Sequence, residues 1–174
     1  ISEISKKYNF DYAAILFADE PFINPKHLSY IVKKIPKMNN EKVINITTNL
    51  KKKDLNSKEV VKTIIDKNNY IIDYFRLKKK KILKNYKIKK SSGILILDKK
   101  LIEKYKNLKT QLKEKKNKIE QFRFLENNIK IKSVFVKNIY PSVNTKKELK
   151  DLLVLVKKDK KENKTINKVK KFEY

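Results

Sequence analysis

Apolar residues fall along this chain in short strand-like runs and in helical stripes. Ala13-Ala14-Ile15-Leu16-Phe17 is a continuous apolar run of strand length that stops at Asp19-Glu20-Pro21. Asn24 then supplies a helix N-cap, and Pro25 suits the first helical turn. Leu28, Ile31, Val32 and Ile35 follow at i, i+3, i+4 and i+7, one apolar face, before Pro36 and the Asn39-Asn40 turn close the helix. Upstream, the spacing of Ile1, Ile4 and Tyr8 predicts the tail of an amphipathic helix.

Residues 42–49 (KVINITTN) alternate Val43, Asn45, Thr47 against Ile44, Ile46, Thr48 and read as a second strand. After a charged connector, residues 59–66 and Tyr70–Phe75 are β-rich runs around Lys67-Asn68-Asn69, a hairpin pattern. Residues 76–90 interleave Leu77, Ile82, Leu83, Tyr86 and Ile88 with lysine, which fits either a lysine-covered helix or a mobile loop. Residues 93–97 (GILIL) read as a buried strand, residues 99–108 and 114–126 as helices, and residues 130–136 as a further strand. Residues 144–156 open on Asn-Thr, carry Glu148 in the first turns and present Leu149, Leu152, Leu153 and Val156 on one face. The remainder, 157–174, has few apolar residues and reads as a basic, disordered tail. Strands alternating with helices, with a hairpin inserted, make residues 1–156 an α/β domain.

Composition narrows the chemistry. The 174 residues hold no cysteine and one histidine, which excludes disulfides, thiolate metal sites, a cysteine nucleophile and any site needing two imidazoles. No run of about 18 apolar residues occurs, so no membrane-spanning helix is expected. The net charge of +27 invites a nucleic-acid reading. Yet of 46 basic residues only Arg76 and Arg123 are arginine. Phosphate readers usually draw on the bidentate guanidinium, although lysine also binds phosphate as a point charge. Charge alone therefore does not favour nucleic acid.

The candidate chemistry lies where the first strand ends. An open α/β sheet holds its ligand beyond the carboxyl ends of its strands. Asp19-Glu20 stands at such an end, and Mg²⁺ in phosphate chemistry is held by one or two carboxylates plus substrate phosphates. The same pair also reads as a wet turn that ends a strand. His27, early in its helix, reads as a surface residue.

Five stretches, in order, resemble one family, the 3-deoxy-manno-octulosonate (KDO) cytidylyltransferases, or CMP-KDO synthetases. Residues 18–23 (ADEPFI) resemble the family's QGDEPLI, and residues 59–75 (EVVKTIIDKNNYIIDYF) its NVVKVVLD…ALYFSR hairpin. Ser91-Ser92-Gly93-Ile94 stands where the family has HIGIY. IEQFRFLENNIK at residues 119–130 resembles LEQLRALENGIK, and Ser142-Val143-Asn144-Thr145 with Glu148-Leu149 resembles GVDTPEDL. The VVK hairpin and the EQ.R.LENN run fit this branch better than the neighbouring sialic-acid cytidylyltransferases.

The resemblance implies a nucleotide-diphospho-sugar-transferase-like (Rossmann-like) mixed sheet with a hairpin insertion. It implies transfer of CMP from CTP to a KDO-type sugar acid over Mg²⁺, by a homodimer with the hairpin at or near its interface. A cytoplasmic setting is implied, or an organelle if a targeting segment precedes residue 1. Asp19 matches the metal-binding aspartate. Glu120 and Gln121 match the pair that holds the sugar acid, and Arg76, offset by one position, matches a partner of the sugar carboxylate. Glu120 and Arg123, three apart, also read as an exposed helix pair.

Several positions depart from the family. Asn144 replaces its second metal aspartate, which keeps an oxygen ligand but loses a charge. Ser91 replaces the sugar-contacting histidine, and Phe17-Ala18 replace Gln-Gly. The family's N-terminal nucleotide loop is expected before Ile1, so a complete CTP site is not expected within these residues. Two further readings stay open: a catalytically degenerate relative, favoured by Asn144 and Ser91, and a basic RNA-binding or ribosomal module built on the lysines of residues 78–90 and the tail.

Overall fold

The computed structural model describes residues 2–38, 41–77, 85–137 and 139–159. The chain divides into two compact units, one of Ile1–Phe17 with Ile23–Ile139, the other of Ala18–Phe22 with Tyr140–Tyr174. In the first, α1 (Ser2–Lys7) leads into β1 (Tyr12–Leu16), α2 (Pro25–Lys34) and β2 (Val43–Thr48). The hairpin β3 (Lys62–Ile65) and β4 (Tyr70–Phe75) follows, then β5 (Lys87–Asp98), α3 (Lys99–Lys104), α4 (Leu112–Asn117), α5 (Phe122–Glu126) and β6 (Ile131–Phe135). The second unit carries α6 (Lys146–Lys158).

The six strands form a mixed sheet in the order β1-β5-β2-β6-β4-β3. Only β2 and β6 run parallel; every other pair is antiparallel. β5 is the organising strand. Its C-terminal half lies between β1 and β2, while its first residues, Lys87 to Lys90, pair with β3. Because β3 also pairs with β4 and β4 with β6, the pairings from β5 through β2, β6, β4 and β3 return to β5 as a ring. Closure of this kind gives each strand of the ring a partner on both sides, while β1 lies outside it, paired with β5.

β2 is one member of that ring, with a hydrophobic cluster packed on each of its faces. Its alternation predicts one buried face, whereas all six residues are buried because both faces are covered. Val43 packs with Leu95, Leu97, Tyr74, Phe122 and the α3 residues Leu101 and Ile102. Ile44 and Ile46 pack on the opposite side with Ile94, Ile96, Val134 and Ile31 of α2. The Tyr74 and Phe122 rings meet edge to face, centroids 5.7 Å apart, a contact worth about 1 kcal/mol beyond its area.

Local signals account for most element ends. The Asn24 side chain caps α2 by accepting from the Lys26 N–H, Asp98 caps α3 through the Leu101 N–H, and Thr145 with Glu148 forms a capping box on α6. In the hairpin loop the Asp66 carboxylate accepts from the Asn68 and Tyr70 amides, and Asn69 takes φ 62°.

Four expectations are corrected. Residues 87–90 are neither helix nor loop: β5 starts at Lys87, and the 93–97 run is only its second half. The helix expected over 114–126 is two short helices, because Lys118 turns left-handed at φ 51° and ends α4. Val32 is 62% exposed, so the packed stripe of α2 is Leu28, Ile31 and Ile35. α6 extends to Lys158; the rest of the expected tail, 160–174, and the lysines of residues 78–81 and 84 lie outside the described residues. Among the described residues no helix is long and apolar enough to cross a membrane.

Candidate functional site

In the second unit the acidic turn and the 142–145 loop are joined through the backbone. The Val143 N–H donates to the Asp19 carbonyl at 2.7 Å, and the Phe22 and Tyr140 rings meet at 5.9 Å. Asp19 and Asn144, both exposed and 125 positions apart in sequence, therefore belong to one small unit. Glu20, the other half of the acidic pair, is 7% exposed. Asn144 is presented by a tight local arrangement: its N–H and that of Thr145 both donate to one Glu148 oxygen, at 2.8 and 3.0 Å. That spends the Glu148 carboxylate on the start of α6 and leaves the Asn144 side chain at the surface.

Among the described residues no group of three or more His, Cys, Asp or Glu side chains could hold a metal. Asp19 offers a carboxylate and Asn144 an amide oxygen, the ligand types that Mg²⁺ takes beside waters and phosphate oxygens. The same pair does not make a closed protein cage.

The other four sequence-derived residues, Arg76, Ser91, Glu120 and Gln121, belong to the first unit. Arg76 follows β4, and its guanidinium faces four backbone carbonyls: Lys58 and Glu59 at 3.2 and 2.9 Å, Asn117 and Lys118 at 3.4 and 3.3 Å. It thereby ties the connector before β3 to the turn that precedes Glu120. The Arg76 carbonyl in turn accepts from the fully buried Lys62 ammonium, which also donates to the Ser57 carbonyl at 2.6 Å. Burial holds the Lys62 pKa below its ordinary value, with the Asp54 charge opposing that effect.

Ser91 is buried in β5, and its hydroxyl donates to the Asn45 side-chain oxygen at 2.8 Å. The same oxygen accepts from the Tyr74 hydroxyl at 3.0 Å, while the Asn45 amide reaches the Ile94 carbonyl at 3.2 Å. Desolvation pushes the Tyr74 hydroxyl well above its ordinary pKa, so it stays a donor. No local pattern in the sequence announces this network as a whole. Its signal was an asparagine in mid-strand among apolar residues, which in a buried strand must be hydrogen-bonded.

Glu120 is exposed and Gln121 buried, at the turn leading into α5. The Glu120–Arg123 pair expected from spacing does not form the ion pair found here. Arg123 instead makes a bidentate pair with Glu114 of α4, Nε–Oε2 2.9 Å and Nη2–Oε1 2.5 Å, and lies 4.8 Å from the Tyr105 ring centroid. The hydrogen bond to Glu114 raises the arginine pKa further. Because α4 and α5 are separate helices, Glu120 falls in the turn between them, and the partner comes from α4.

No protein-family model matches the chain, and no curated protein matches it in sequence. Among solved structures it is similar to a CMP:2-keto-3-deoxy-manno-octonic acid synthetase complexed with CTP, with TM-score 0.80 and 19% identity over 91% of this chain and 66% of that one. It is also similar to the inositol-1-phosphate CTP transferase from T. maritima, with TM-score 0.54 and 12% identity over 87% of this chain and 58% of that one. A Bacillus anthracis protein described as a glucose-1-phosphate thymidylyltransferase gives TM-score 0.54 and 14% identity over 88% and 58%. The chain thus spans less than two thirds of each. At these identities the likeness shows the fold, a nucleotide-diphospho-sugar-transferase-like mixed sheet.

Proposed function

We propose that the chain belongs to a cytidylyltransferase that transfers CMP from CTP to a KDO-type sugar acid. The acceptor hydroxyl attacks the α-phosphorus of CTP, the bond to the β-phosphate oxygen breaks, pyrophosphate leaves, and the hydroxyl proton is released. Such chemistry asks the protein mainly to position the reactants and to offset charge. Asp19 and Asn144 would hold Mg²⁺, whose contribution is charge neutralisation at the triphosphate. Glu120 and Gln121 suit a polyhydroxylated acceptor because carboxylate and amide oxygens accept hydroxyl protons. Arg76 ties down the turn before Glu120 through its backbone hydrogen bonds, and a homodimer is the expected form.

The observation that carries the reading is the Val143–Asp19 hydrogen bond, which joins in one unit the two residues that the family resemblance assigns to the metal. The test is calorimetric titration of CTP with Mg²⁺ into the longest native form of the protein, beside Asp19→Ala and Asn144→Asp. Binding that needs Asp19 and tightens in Asn144→Asp supports the proposal; no CTP heat in any form overturns it. A catalytically degenerate relative is the second reading, favoured by one contact. The Ser91 hydroxyl, at the position of the family's sugar-contacting histidine, is spent on Asn45 inside the sheet.

A further inference from the structure

A groove of about 630 Å³ opens in the first unit, and none of the six candidate site residues lines it. It is bounded by Tyr30 and Lys34 of α2, Lys87 and Lys89 of β5, and Lys132 and Phe135 of β6. Its lining holds four lysines and no carboxylate. Among the described residues Lys132 pairs with Glu41 at 3.7 Å, and it also donates to the Asn68 carbonyl at 3.1 Å. Lysines that outnumber their counter-charges around a concave surface give it a positive potential, which favours an anionic ligand.

Two aromatic rings complete the lining. Tyr30 is 43% and Phe135 41% exposed, a large apolar area to leave in water. Each ring carries one of the groove's own cations: the Lys34 ammonium lies 4.7 Å from the Tyr30 centroid, and that of Lys89 lies 4.5 Å from the Phe135 centroid. A flat base that takes the face of either ring would release its lysine to a phosphate. Aromatic platforms interleaved with cations in a groove are how unpaired nucleotides are held without sequence preference. A duplex hides its base faces and gains nothing from the rings.

From this geometry we infer that the groove between α2, β5 and β6 is a binding site for single-stranded nucleic acid. Phosphates are held by Lys34, Lys87 and Lys89, and bases stack on Tyr30 and Phe135. The composition of the chain argues only for diffuse charge; the groove adds the rings and their arrangement with the cations. The groove is lined by none of the residues assigned to CTP or the sugar acid, and the test below is made without CTP, so its outcome is read apart from that of the CTP titration.

The test uses the full chain and a fluorescein-labelled 12-nucleotide oligouridylate, read by anisotropy between 50 and 300 mM salt without CTP. Lys34→Gln/Lys87→Gln/Lys89→Gln is expected to weaken binding about tenfold or more at 100 mM salt and to lower the salt slope by about 2. Tyr30→Ala/Phe135→Ala is expected to weaken it about tenfold with the slope unchanged. A control, Lys100→Gln/Lys104→Gln/Lys106→Gln, removes the same charge from exposed positions on and after α3. Circular dichroism melts check that each variant is folded. Equal losses from both lysine triples, no loss from the aromatic pair, or equal affinity for the matching duplex would overturn the inference.

Discussion

The Val143 amide donates to the Asp19 carbonyl at 2.7 Å, so a residue from the 142–145 loop closes onto the turn that ends the first apolar run. This bond couples the placement of Asn144, the next residue, to that of Asp19. Asn144→Asp should then tighten Mg²⁺ binding about tenfold, or about 1.4 kcal/mol, because a second carboxylate adds a charge at the same place. Magnesium titration followed by calorimetry checks this. An unchanged or weaker affinity would show that the Asn144 side chain does not face the cation.

Arg76→Lys should cost stability although it keeps the charge. A guanidinium fork can face the carbonyls of Lys58, Glu59, Asn117 and Lys118 together, whereas an ammonium cannot span them. The expected loss is about 2 kcal/mol, seen as a lower urea midpoint with an unchanged slope. Hydrogen exchange should also quicken at the amides of residues 119–122.

The Asn45 network predicts an asymmetry. Tyr74→Phe should cost about 1 kcal/mol, since the Asn45 oxygen keeps the Ser91 hydroxyl as a donor. Asn45→Leu should cost about 3 kcal/mol, because two buried hydroxyls lose their shared acceptor. Urea unfolding of the two variants compares them directly, and equal losses would contradict the network.

His27 supplies a pH dependence. Burial holds its pKa below the ordinary 6.5, and its place in the first turn of α2 acts in the same sense. Below pH 6.5 the unfolded chain therefore binds more proton than the folded one, and stability falls as the pH drops through that range until the folded pKa is passed. His27→Gln should remove this part of the slope. As the chain has one histidine, its imidazole resonance gives the folded midpoint without assignment, and a midpoint at or above 6.5 would refute the prediction.

What the sequence alone determined was local. The caps at Asn24 and Thr145, the Lys67-Asn68-Asn69 hairpin turn and the apolar strands at residues 13–17, 42–49 and 130–136 are legible because their causes lie within a few residues. So was the mixed α/β class, from alternation of strand and helix patterns. The tertiary structure decided what depends on distant partners. β5 begins six residues before its only glycine because β3 lies alongside Lys87 to Lys90, a pairing no local pattern announces. The helix over 114–126 breaks at Lys118, in the turn whose carbonyl faces an arginine 42 positions away. Arg123 pairs with Glu114 rather than Glu120 for the same reason. Asp19 and Asn144 are recognisable one at a time in sequence, but only the hydrogen bond from Val143 makes them members of one unit. Spacing encodes contacts along one element; contacts between elements are set by which surfaces can be buried together, and a single strand or helix does not carry that information.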